Sequence, residues 1–206
     1  LDFIIDAIRG DFNSNKFISE LEDQLVKYLN TKHVKLLFRG RLGIYLAVKS
    51  FVNNNKNEII MSPYTIFDVV NMVICAGGKP VFLDIDLDSF SPDLKEIKKY
   101  YNNKTAGILV THMHKCVKDL YKIKDFCKQN NIKLIEDTAI AFGTSLNKKK
   151  LGTIGDIGVY SFSMFKFVSS FSGGAIVTQD TEIYKKSINE LSTFKQSKPI
   201  NLINRF

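Results

Sequence analysis

The sequence predicts an α/β fold: a three-layer sandwich with a mainly parallel sheet between two layers of helices. Two observations predict it. Short apolar runs alternate with helix-patterned segments along nearly the whole chain. The runs are almost continuously apolar, as strands buried on both faces must be. A length of 206 residues, 45% of them hydrophobic, is enough for one sizeable core.

The elements follow in order. The segment 18–29 places Ile18, Leu21, Leu25 and Leu29 at helical spacing, with Ser19 and Glu22 near its start. Strand 34–38 precedes a helix over 41–52. Strand 58–61 precedes a helix over 67–77, closed by Gly77 and Gly78. After strand 80–84, the segment 92–101 opens with Pro92 in a first helical turn. Strand 106–112, helix 117–130 and strand 132–137 form a further βαβ-like unit. Strands 157–162 and 174–178 follow, and a last helix runs from near Asp180 to about Phe194. In such sheets ligands sit at the carboxyl ends of strands. The loops after Phe38, Met61, His112, Glu136 and Phe162 are therefore expected to gather around one site.

Composition narrows the function. The net charge is +8, but the lysines are scattered among asparagines, which points to a solvated surface and not to a nucleic-acid face. Three cysteines, Cys75, Cys116 and Cys127, lack CxxC spacing and read as reduced thiols of a cytoplasmic protein. No apolar run reaches the roughly 18 residues of a membrane span. The first residues carry Asp2 and Asp6 without a basic region, unlike a signal peptide. The chain starts without Met and stops abruptly at Phe206, so either end is open to being incomplete.

Three motifs are set aside. "DIDLD" (84–88) lacks the glycine and glutamate of a calcium loop, having Ser89 and Lys95 there instead. His112 and His114 have no third metal ligand at sensible spacing, and His112 reads as a strand-end hydrogen-bonding residue. "GTIGDIG" (152–158) precedes a strand, whereas a phosphate loop follows one, so turn geometry explains its glycines.

What survives is a set of separated residues. Lys166 lies just past a strand among Phe162, Phe165 and Phe167, a setting that should push its amine pKa down and make it a usable nucleophile. Glu136 and Asp137 end a buried strand, where an acid is costly unless it meets a cation. Ser161 precedes Lys166 by five residues, and a helix begins after Gly40. A lysine, a strand-end carboxylate, a serine and a helix N-terminus are the parts needed to hold pyridoxal 5'-phosphate.

In register with these residues, the stretches 62–86, 134–143, 148–166 and 173–180 resemble the large domain of DegT/StrS-type sugar aminotransferases. These are pyridoxal-phosphate enzymes of fold type I. The resemblance runs from about Gly10 to about Asp180 and rests on the order and spacing of the stretches together. It implies that residues 1–206 are a cofactor-binding large domain: a helical segment to about residue 30, then sheet and helices to about 195. The family's smaller C-terminal domain is then absent or truncated. The resemblance makes Lys166 the Schiff-base lysine and proton shuttle, Asp137 the partner of the ring nitrogen, and Ser161 with the Gly40–Arg41 amides the phosphate ligands. A lysine, where related sugar dehydratases carry histidine, favours transamination. The implied substrates are a nucleotide-linked keto sugar and glutamate, in amino-sugar or surface-polysaccharide synthesis, with the site shared across a homodimer.

The chain also departs from the family pattern. "RGR" (39–41) replaces a Ser-Gly-Thr turn, so Arg41 could contact the phosphate, obstruct the loop or simply be solvated. Ile66 stands where an aromatic stacks on the cofactor, with Phe67 beside it. Ile140 stands where Gln or His lies near the cofactor hydroxyl. "HMHK" (112–115) replaces "HLYG", and Ser172 replaces an acid. For Ser161 a plain alternating-strand position is an equal alternative, and for Asp137 a helix N-cap. A second reading follows: a degenerate or truncated relative that has kept the fold and serves as a binding or assembly partner.

Overall fold

The computed structural model describes residues 14–113 and 116–194. It contains helix α1 (Ser14–Leu29), strand β1 (His33–Leu37), α2 (Gly40–Lys49), β2 (Glu58–Met61) and α3 (Phe67–Cys75). Then come β3 (Lys79–Phe82), α4 (Leu94–Tyr100), β4 (Thr105–Thr111), α5 (Leu120–Gln129) and β5 (Lys133–Asp137). A two-stranded ribbon, β6 (Ser145–Leu146) and β7 (Lys149–Lys150), precedes β8 (Ile157–Ser161), β9 (Gly174–Thr178) and α6 (Thr181–Ser192).

Seven strands form one sheet in the order β1-β9-β8-β5-β4-β2-β3. All neighbours are parallel except at β9, which runs antiparallel to both β1 and β8. The pleat sends alternate residues to opposite layers. Ile59 and Met61 join α2, α3 and α6 on one face, while Ile60 joins α4 and α5 on the other. A third cluster seats α1, through Leu25 and Leu29, on Val34, Tyr160, Ala175 and Val177. Fully burying one such aliphatic side chain stabilises by roughly 1.5–3 kcal/mol, so these clusters carry the three-layer arrangement expected from the apolar runs.

Several expectations change in detail. Ile18 and Leu21 are exposed, so only the last two turns of α1 are seated. Glu22 also fastens this helix, accepting from the Leu36 amide at 2.8 Å and pairing with Lys35 at 3.0 Å. Pro92 lies outside α4. Asp93 is the N-cap and accepts from the Glu96 amide at 2.7 Å, which lets the helix start without help from proline. Helix α5 starts at Leu120, because Asp119 before it is left-handed at φ 57°. Asp180 is the N-cap of α6, accepting from Glu182 and Ile183. The ribbon β6–β7 was not expected, since strands of two residues show no periodicity. The segment before Ser14 and His114 lie outside the described residues.

Candidate active site

Four of the five expected loops converge on one cleft at the carboxyl edge of the sheet. Its lining includes Gly40, Arg41, Ile66, Asp137, Ser161 and Lys166. Ile140 is half-buried and not among the lining residues, and the described part of the loop after His112 contributes none either. Ile140 lies in the turn at 139–140, directly after β5 and next to the cleft residue Ala139.

Each position follows from the fold around it. Asp137 is the last residue of β5 and is 4% exposed. Its Oδ1 accepts from the Ala139 amide at 3.0 Å. No helix follows, so this carboxylate caps a turn, which sets aside the alternative of a helix N-cap. Burial pushes the Asp137 carboxyl above its usual range, while the Ala139 amide, His112 and Lys166 pull it back. Placing a cation beside it would relieve that cost.

Glu136 points the other way. It is completely buried and accepts from the amides of Gly152, at 2.9 Å, Ile154, at 2.8 Å, and Gly155. His112 Nε2 lies 3.0 Å from it, and His112 Nδ1 accepts from the Val117 amide at 3.2 Å. With Nδ1 accepting, the proton sits on Nε2 and is donated to Glu136. The glycine-rich stretch 152–158 is therefore a clamp on a buried acid. Backbone dipoles meet much of the need for which a cation was expected.

Helix α2 starts at the cleft. Arg39, its N-cap, is extended and makes no side-chain cap bond. The helix begins against β8: a Cβ on Gly40 would lie 2.9 Å from Ser161 Cβ, and one on Gly43 would lie 2.7 Å from Val159 Cγ1. Only glycine permits that approach. The uncapped amides consequently open beside the hydroxyls of Ser161 and Ser163, which lie 3.1 Å apart. Ser163 was missed, although it follows Ser161 at strand spacing. Asp68 was missed as well. It lies in the first turn of α3 and pairs with the Arg41 guanidinium at 3.0 Å.

Lys166 is half-buried, with its amide bonded to the Ser163 carbonyl at 3.2 Å. The apolar surround expected for it is absent. Phe162 is buried, but Phe165 and Phe167 are 96% and 81% exposed, because the left-handed Phe165 (φ 70°) turns the loop outward. Ile66 is exposed and lines the cleft, and Phe67 beside it is exposed as well.

This donor set fits a phosphorylated pyridine aldehyde: an amine, a buried acid in need of a cation, two hydroxyls and a helix start held open by Gly40. The model of the DegT/DnrJ/EryC1/StrS aminotransferase family matches residues 5–198. The chain belongs to that family. Among its DegT-family relatives, a GDP-perosamine synthase of Vibrio cholerae is 30% identical over 84% of this chain and 47% of its own length. A dTDP-4-amino-4,6-dideoxy-D-glucose transaminase of Shigella dysenteriae is 31% identical over 88% of this chain and 49% of its own. The solved structure of Helicobacter pylori PseC, an aminotransferase of pseudaminic acid biosynthesis, superposes with TM-score 0.80 at 26% identity. It covers 87% of this chain and 49% of that one. Bacillus subtilis NtdA with bound cofactor PMP gives TM-score 0.76 at 27% identity, covering 84% of this chain and 39% of that one. The chain spans about half the length of the curated relatives it matches.

Proposed function

We propose that this chain is the cofactor-binding large domain of a pyridoxal-phosphate-dependent aminotransferase. Its substrate would be a nucleotide-linked keto sugar, its amino donor glutamate, and its setting amino-sugar or surface-polysaccharide synthesis. The observation that carries this reading is the convergence of Lys166, Asp137, Ser161 and the open start of α2 on one cleft in a chain of this family. The names of its relatives, a GDP-perosamine synthase and a dTDP-sugar transaminase, favour a nucleotide sugar.

The residues divide the work. When bound, pyridoxal phosphate supplies an electron sink for cleaving a bond at the amine-bearing carbon. The Gly40 and Arg41 amides, with Ser161 and Ser163, hold the phosphate. Asp137, ionised beside a cationic ring nitrogen, keeps that nitrogen protonated. The Lys166 amine is the group that takes a proton from one carbon and returns it to another.

The active unit is a homodimer in the cytoplasm. Phe165, Phe167 and Phe171 are each at least 81% exposed, and Phe38 is 64% exposed on the strand end that the Ser172 hydroxyl bonds. Exposed aromatics this dense mark a surface that another chain covers. The free cysteines and the lack, among described residues, of a helix able to cross a membrane agree with a cytoplasmic setting. A non-catalytic assembly role is the second reading, favoured by the Arg41 side chain, which is already engaged by Asp68.

The test is borohydride reduction of the protein with pyridoxal phosphate, followed by peptide mass analysis. A pyridoxyl adduct on Lys166, absent from Lys166→Ala, is expected. An unmodified Lys166 would leave the assembly role.

A further inference from the structure

Arg41 and Asp68 sit at the starts of two consecutive helices, α2 and α3, which open on the same cleft. Their side chains meet at 3.0 Å, with 47% and 35% of their surface exposed. Asp68 is a second carboxylate, beside Asp137, in a cleft that also presents an uncapped helix start, two serine hydroxyls, Arg39 and Lys166, and it lies at the helix starts and not at the end of β5. Alone it would repel the anion these groups attract. Paired with Arg41 it is neutralised, and it also occupies the guanidinium.

An ion pair this exposed is weak and easily exchanged. A phosphate monoester offers the guanidinium a stronger, forked acceptor. It would arrive beside Gly40, at the residue next to Arg41. The same cleft therefore holds an anion site and a device that competes with it.

Building on the cofactor reading, we propose that Asp68 sets the affinity of the cleft for the cofactor's phosphate by holding the Arg41 guanidinium. Phosphate binding exchanges that guanidinium from Asp68 to the ligand. Arg41 is then a phosphate-binding residue held in reserve, and Asp68 a positioning residue that acts through it. No bond is made or broken in this step. Only the partner of one cation changes.

The test is titration calorimetry of the 206-residue chain with three probes: pyridoxal 5'-phosphate, pyridoxal without phosphate, and inorganic phosphate. Asp68→Asn is expected to tighten both phosphate-bearing probes about two- to fivefold, the scale of one exposed ion pair, and to leave pyridoxal unchanged. Asp68→Glu, which retains the charge, should behave as wild type. Arg41→Ala should weaken both phosphate probes and reduce the effect of Asp68→Asn to less than about twofold, since coupled residues are not additive.

An Asp68→Asn variant that binds phosphate no more tightly than wild type overturns the proposal. So does an effect of the same size without Arg41, because Asp68 would then act only by direct repulsion. The inorganic-phosphate arm separates this result from the cofactor reading. If Lys166 takes no pyridoxyl adduct while the phosphate response persists, the cofactor reading fails and the role of Asp68 stands.

Discussion

Glu136 and Asp137 are adjacent in sequence, both completely or nearly buried, and face opposite layers of the molecule. Glu136 turns into the layer of α4 and α5, where three amides and His112 satisfy it. Asp137 turns into the cleft with one amide partner among the described residues. One acid belongs to the scaffold. The other faces the cleft.

Asp137→Asn should stabilise the chain without cofactor. At neutral pH a buried carboxylate costs stability, and Asn keeps the oxygen that accepts from the Ala139 amide. A gain of about 1–2 kcal/mol is expected in chemical denaturation. The gain fades with acid. Because the folded carboxyl is raised, Asp137 takes up a proton in the folded state first, and the penalty fades as pH falls through its raised value. Wild type and variant should therefore converge at low pH. The same variant should bind pyridoxal phosphate more weakly.

Glu136→Ala should do the opposite. It strands three buried amides and the His112 N–H. Breaking such a cluster costs about 3–5 kcal/mol. Urea denaturation would show a lower midpoint at neutral pH, and a loss under ~1 kcal/mol would mean that water replaces the carboxylate.

Tyr45 gives a pH dependence at the basic end. Its hydroxyl donates to Glu190 Oε1 at 2.6 Å, tying α2 to α6. Burial and that carboxylate raise its pKa to about 12. A raised folded pKa means stability that is whole below about 10, the unfolded value, and lost as pH rises toward about 12. Tyr45→Phe should flatten the fall in melting temperature over that interval.

Replacing Phe165, Phe167 and Phe171 together with serine should leave the fold intact, since all three are exposed. Sedimentation should then show a shift from dimer to monomer. A wild-type chain that is monomeric at every concentration would remove the homodimer.

Much of this arrangement was legible in the sequence. Strands 58–61 and 174–178 match their predicted limits, because buried strands are continuous apolar runs bounded by polar residues or glycine. Asp137, Ser161 and Gly40 were each at an element's end, and Lys166 lay in the loop just past one, where patterns change and ligands bind. The Arg41–Asp68 pair was not legible. It joins two helix starts whose proximity comes from strand order, and nothing local in either segment encodes it. The exposure of Phe165 and Phe167 was misread for a similar reason: composition suggests burial, whereas one left-handed residue sets the direction of the loop.

The sheet order has a consequence for synthesis. Among the described residues, strand β1 pairs only with β9, and Thr31 bonds Thr178 across 147 residues of chain. On a ribosome adding about 5–20 residues per second, β1 would wait roughly 7–30 s for its partner. Strands β2 to β5 can assemble meanwhile. The corner that closes last is the one holding Gly40, Ser161 and Gly174. A nascent chain would therefore have most of its core before it has its cleft.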